Sequence, residues 1–149
     1  SWAGTVLMQE RAESDAEQRA IAAYPAAIDA KAPRVLIGFS QGAYVARNLI
    51  LAQHGRYRAA LFIGADISTT AESFRAAGVE RVAFAAGRND MMRKPLEAEH
   101  AKLRAAGFPA RFVDLGDVGH TYVPANGASE LEATIEWLEG IAPVGAPAI

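Results

Sequence analysis

Gly38-Phe39-Ser40-Gln41-Gly42 sets one serine between two glycines in the spacing G-x-S-x-G. A serine hydroxyl is a weak nucleophile at its own pKa. It becomes reactive when a turn exposes it and a base takes its proton. A tight turn from strand to helix does the first part, because it strains the serine backbone and pushes the hydroxyl outward. Side chains at the two glycines are expected to clash with the neighbouring strand and helix. A helix that starts here aims its N-terminal N–H groups and dipole at a developing negative charge. The N–H of Gln41 is therefore the expected oxyanion donor. The bland alternative is an ordinary strand-to-helix turn of small residues. The context favours the reactive reading: the apolar run Arg34-Val35-Leu36-Ile37-Gly38 ends at the motif, and a helical pattern begins at Gln41.

The base must be one of three histidines. His54 closes the helix that follows Ser40, about 20 Å away by the 1.5 Å rise per residue. It suits the negative end of that helix. His100 sits mid-helix among Glu97, Glu99 and Lys102, as on a solvated face. His120 lies in the loop Gly116-Asp117-Val118-Gly119-His120-Thr121, just past a strand, and is the expected base. An imidazole in that role needs a carboxylate to orient it. Asp90, in the polar loop Arg88-Asn89-Asp90 after another strand, is the first choice, and Asp66 is the alternative. Asp114 and Asp117 are nearer in sequence, but Asp114 reads as part of a strand.

These residues need elements to hold them. Apolar runs predict strands over 5–8, 34–38, 59–64, 81–87 and 110–114. A capping box, Ser14 with Glu17, predicts a helix to about Ala30, kinked at Pro25. Ala43, Ala46, Leu49, Ile50 and Ala52 recur at helical spacing up to Gly55. Thr69 and Glu72 predict the cap of a short helix ending at Gly78. Pro95 suits the first turn of a helix that runs to Ala106 and stops at Gly107. Ser129 and Glu132 open the last helix, to Glu139. Strands that lack alternation are buried on both faces. The expected class is therefore α/β: one mostly parallel sheet flanked by helices, with ligands at the carboxyl ends of the strands. One domain over 1–149 is expected, with 1–33 a partial N-terminal region, 34–141 the catalytic core and 142–149 a frayed tail.

Composition narrows the partners. Fifteen Lys and Arg against 17 Asp and Glu leave a net charge of −2, which offers no field for nucleic acid. The chain has no cysteine, which excludes disulfides and thiolate chemistry. No apolar run reaches the roughly 18–20 residues of a membrane span. There is no H-E-x-x-H, Walker loop or G-x-G-x-x-G, so neither metal nor cofactor is expected. The acidic cluster Glu10, Glu13, Asp15 and Glu17 reads as a solvated helix start. The start at Ser1-Trp2-Ala3-Gly4 lacks both an initiator methionine and a signal pattern. A chain that is processed, tagged and trimmed, or a fragment of something longer is expected, with a cytoplasmic location.

The order Ser40, Asp90, His120 is the Ser…Asp…His order of the α/β-hydrolases. With Ala86-Gly87-Arg88-Asn89-Asp90 after a strand and Gly119-His120 before the final helix, residues 34–140 resemble the carboxylesterase/lysophospholipase branch of that superfamily. The resemblance implies that Ser40 is nucleophile, Asp90 acid and His120 base, with hydrolysis of a small-molecule carboxylic ester or thioester through an acyl-enzyme. Met91 and Met92, which follow Asp90, are candidates to line an acyl pocket, and Phe39, Tyr44 and Tyr122 are further candidate substrate contacts; plain packing is the alternative for each. Relatives carry strands before the elbow and a loop that gives a second oxyanion N–H. Here only about 33 residues precede the elbow strand. The favoured expectation is an upstream segment or separate chain that completes the sheet. The alternatives are a substitute donor at Trp2-Ala3-Gly4, or a weak site on a scaffold used for binding. A peptidase or acyltransferase would use the same three residues.

Overall fold

The structure is a computed structural model that describes residues 34–140. The strand expected at 5–8, the helix from Ser14 and the tail lie outside the described residues, as does Trp2-Ala3-Gly4. Strands and helices alternate throughout: β1 Val35–Phe39, α1 Gln41–Ala52, β2 Ala59–Ile63, α2 Ala71–Ala77, β3 Arg81–Ala86, α3 Arg93–Ala105, β4 Ala110–Asp114 and α4 Ser129–Glu139. The strands form a parallel sheet in the order β1-β2-β3-β4. Phe39, Ile63, Ala85 and Val113 lie in one row across it. Parallel neighbours need a crossover, and each helix between two strands supplies one. This is the expected α/β class.

Successive residues of a strand face opposite sides of the sheet. On one side Ala60, Phe62, Val82, Phe84 and Ala86 pack with Ala43, Ala46 and Ile50 of α1, Phe74 of α2, and Leu96 and Leu103 of α3. On the other, Ala59, Leu61, Ile63, Ala83, Ala85 and Val113 meet Leu138, Leu131, Ile135 and Trp137 of α4. Phe62 stacks between Phe84 at 6.0 Å and Phe74 at 6.1 Å. Burying one such side chain contributes roughly 1.5–3 kcal/mol, so the two apolar layers hold the sheet in place under its rim.

Several boundaries shift. β1 starts at Val35 and takes in Phe39. β2 and β3 stop before Gly64 and Gly87, which become the first residues of the connections. α1 ends at Ala52, so His54 lies in the turn beyond it. Thr70, rather than Thr69, caps α2, its Oγ1 accepting from the Ser73 N–H at 3.1 Å. Ser129 is already inside α4; Ala128 takes the cap position, and no side chain bonds there. Glu130 and Glu132 meet the positive end of α4 instead.

Candidate active site

Because all four strands run one way, their carboxyl ends share one rim. Ser40 leaves β1 at that rim with φ 54° and ψ −120°, and it is the only non-glycine described residue at positive φ. Such a conformation costs of order 1–3 kcal/mol and persists only where its surroundings fix it. Here the Ser40 N–H donates to Ile63 O at 2.8 Å, and Ser40 O accepts from the Ala43 N–H at 3.1 Å. A Cβ on Gly38 would run into Gly42 O and come within 2.6 Å of Ala43 Cα, so the close approach of β1 and α1 requires glycine there. A Cβ on Gly42 would meet nothing within 4 Å. The clash expected at the second glycine is therefore absent, because Gly42 stands on the open side of the first turn.

Serine is a favoured N-cap residue, yet the Ser40 hydroxyl makes no capping bond. It sits 3.0 Å from His120 Nε2. The other ring nitrogen, Nδ1, lies 2.9 Å from Asp90 Oδ2. The Asp90 side chain is only 2% exposed. Its second oxygen, Oδ1, accepts from the Met92 N–H at 2.8 Å, so both carboxylate oxygens are engaged. The structure thus brings together Ser40, Asp90 and His120. Asp66 is exposed and is no partner of His120. The Gln41 N–H, first in α1, has no hydrogen-bond partner among the described residues.

His120 must travel to reach Ser40. β4 is three strands from β1, about 14 Å at roughly 4.8 Å per spacing. The connection after β4 covers that gap and is tied down to the Asp90 loop. The Arg88 N–H donates to Gly116 O at 2.9 Å and the Asn89 N–H to Val118 O at 3.0 Å. Asn89 Nδ2 donates to Asp117 Oδ1 at 2.7 Å. A Cβ on Gly87 would collide with Val118 O, so glycine permits this close approach. Below it Asp114 accepts from the Gly116 N–H at 2.9 Å, from Arg88 Nε at 3.0 Å and from Arg93 Nη1 at 3.0 Å. The Gly116 bond first, and the two guanidinium groups after it, hold the Asp114 carboxyl down at about 2 against partial burial.

Sequence reading missed Gly64. It has φ 63°, and a Cβ there would come within 3.0 Å of His120 Cε1 and 3.1 Å of Asp90 Oδ2. Its one sequence signal was a glycine at a strand end, which is common. Phe39 lies with its ring 4.8 Å from the imidazole and 5.3 Å from the Tyr122 ring. Met91 is 84% exposed. Tyr44 packs on the core and stacks with Arg47 at 5.4 Å. His100 is not on a solvated face: it is half-buried against Phe112, with Nε2 3.3 Å from Ala110 O. Among the described residues no cluster of side chains could hold a metal ion, and no helix is long and apolar enough to cross a membrane.

No protein-family model and no curated protein matches the chain by sequence. Solved structures do match in shape. The S-formylglutathione hydrolase of Staphylococcus aureus aligns at a TM-score of 0.60 with 15% identity, over 85% of this chain and 63% of that one. Esterase PE8 aligns at 0.60 with 22% identity, over 78% and 55%. The Bacillus cereus carboxylesterase aligns at 0.50 with 20% identity, over 85% and 57%. The chain spans less than two thirds of the length of these structures. The parallel sheet flanked by helices described above matches theirs: the chain has the α/β-hydrolase fold.

Proposed function

We propose that this protein is a serine hydrolase that cleaves a carboxylic ester or thioester through an acyl-enzyme on Ser40. The observation that carries the reading is the unbroken chain Ser40 Oγ, His120, Asp90, at 3.0 and 2.9 Å. Ser40 Oγ attacks the carbonyl carbon while its proton passes to His120 Nε2. Asp90 accepts from Nδ1–H, which fixes the tautomer and steadies the imidazolium. The carbonyl π pair moves onto oxygen, facing the Gln41 N–H and the positive end of α1. When the carbonyl re-forms, the bond to the leaving group breaks. The leaving atom keeps the electron pair and takes the proton from Nε2. Water, giving its proton to His120, then repeats the sequence on the acyl-enzyme and frees Ser40.

The structural neighbours include proteins described as an S-formylglutathione hydrolase, an esterase and a carboxylesterase, in keeping with this chemistry. An inert scaffold is the second reading. Strain at Ser40 and a buried carboxylate beneath His120 stabilise no fold by themselves, which weighs against it. A peptidase or acyltransferase would share the acyl-enzyme and differ only in the leaving group or the incoming nucleophile. The test is a fluorophosphonate probe on the full chain, read by intact mass and peptide mapping. A single adduct on Ser40, absent in Ser40→Ala, is the expected result. An unlabelled Ser40 in folded protein overturns the reading.

A further inference from the structure

Five large apolar side chains are exposed among the described residues: Ile37, Leu51, Met91, Tyr122 and Val123. Single exposed apolar groups are ordinary, but a group of them beside a reactive centre marks a contact surface. Met91 follows Asp90, and Tyr122 and Val123 follow His120. Tyr122, 49% exposed, stands edge-on to Phe39 at 69° and 5.3 Å. Phe39 in turn lies 4.8 Å from the imidazole, tilted by 33°. The Val123 N–H donates to Thr121 Oγ1 at 3.1 Å and closes the turn that presents Tyr122. The three rings form a continuous step from the imidazole out to solvent.

Proton transfer decides which half of a substrate meets this step. His120 Nε2 must hand its proton to the leaving oxygen or sulfur, which therefore sits about 3 Å from it. The substituent on that atom then runs along the flank of the imidazole, where Phe39 and Tyr122 lie. The acyl half is bonded to Ser40 and stays with it through the second step. We propose that Phe39 and Tyr122 form a leaving-group subsite for an aromatic alcohol or thiol, and that selectivity at this step falls on the leaving group rather than on the acyl chain. This rests on the assignment of Ser40 and His120 above.

The test compares benzyl acetate with methyl acetate, which share an acyl group and release alcohols of similar acidity, on the full chain. One aromatic contact is worth about tenfold in affinity. The expected result is a kcat/KM about tenfold higher for the benzyl ester. Tyr122→Ala brings the two esters within about threefold of each other, Tyr122→Phe restores the preference, and Leu51→Ala, remote on α1, leaves the ratio as it was. A ratio unchanged in Tyr122→Ala, with Ser40 still labelled by fluorophosphonate, overturns the subsite alone. So does a Tyr122→Ala variant that shifts preference between methyl acetate and methyl hexanoate instead. A wild-type chain that neither labels nor hydrolyses overturns the subsite together with the reading beneath it.

Discussion

His120 Nε2 lies 3.0 Å from Ser40 Oγ, although 80 positions separate the two residues in the chain. The contact joins the two flanks of the described sheet, since Ser40 leaves β1 and His120 follows β4. It depends on the path of one connection across the rim, and most tests of the site are tests of that path.

Asp90→Asn keeps the shape of the buried carboxylate and removes its charge. The amide can donate to Nδ1 and so favours the wrong tautomer of His120. A fall in kcat of about 10⁴-fold is expected, with KM little changed. Steady-state kinetics on an activated acetate ester, alongside a circular dichroism spectrum like that of the wild type, is the check. A loss under tenfold would assign the orienting role elsewhere.

Gly64→Ala introduces two problems at one position. Alanine is strained at φ 63°, and its methyl group reaches the imidazole and the Asp90 carboxylate. The strain alone costs about 1 kcal/mol or more. A 1 Å displacement of reacting groups costs about 10²-fold in rate. The neighbours need give by only a few tenths of an ångström, so a lower Tm together with a fall in kcat of about tenfold, short of that size, is expected. Gly42→Ala, where the added methyl meets nothing, gives the contrast.

Asn89 and Asp117 clamp the Asp90 loop to the His120 loop through one side-chain hydrogen bond of 2.7 Å. Both are exposed, so the bond itself is worth about 1 kcal/mol or less in stability. Its effect is expected in kcat, through the position of His120. Asn89→Ala and Asp117→Ala should each slow turnover several-fold, and the double variant should be no worse than the poorer single one. Additive losses would show that the two residues act separately.

Asp114 sets an acid limit on the same loop. Its carboxyl lies at about 2 in the folded protein, below the ordinary 3.8, chiefly through the Gly116 N–H. A lowered folded pKa means that the stabilisation is complete above about pH 4 and is lost as pH falls towards 2. Urea unfolding at a series of pH values should show wild type more stable than Asp114→Asn above pH 4. The gap should close between pH 4 and 2. A constant gap would assign the effect of the substitution to packing.

The local pieces were legible because each carries its own pattern. An apolar run, a small-residue turn and a 3.6-residue repeat specify β1, Ser40 and α1 without reference to anything distant. The same holds for β4 and α4, whose bounds at 110–114 and 129–139 agree with the reading. The cap was read one residue out at Thr70, because Thr69 is the one with a glutamate three residues on, whereas the hydroxyl that reaches an orphan N–H, that of Ser73, belongs to Thr70. His100 was misplaced because charged neighbours along a helix do not reveal that its own stripe packs on Phe112. Gly64 was overlooked because its need for a missing side chain comes from His120 and Asp90, residues remote in sequence.

Sequence alone determined the types of the candidate site residues, their order along the chain and the parallel α/β scaffold that sends them to one rim. Hydrophobic periodicity and turn chemistry are short-range properties, so they can be read in a single pass. Tertiary structure alone decided that His120 crosses from β4 to Ser40, that Asp90 is sealed beneath it, and that Phe39 and Tyr122 flank the imidazole. Those relations arise from close packing and hydrogen bonds between loops distant in sequence, and no local pattern encodes a distance across a sheet.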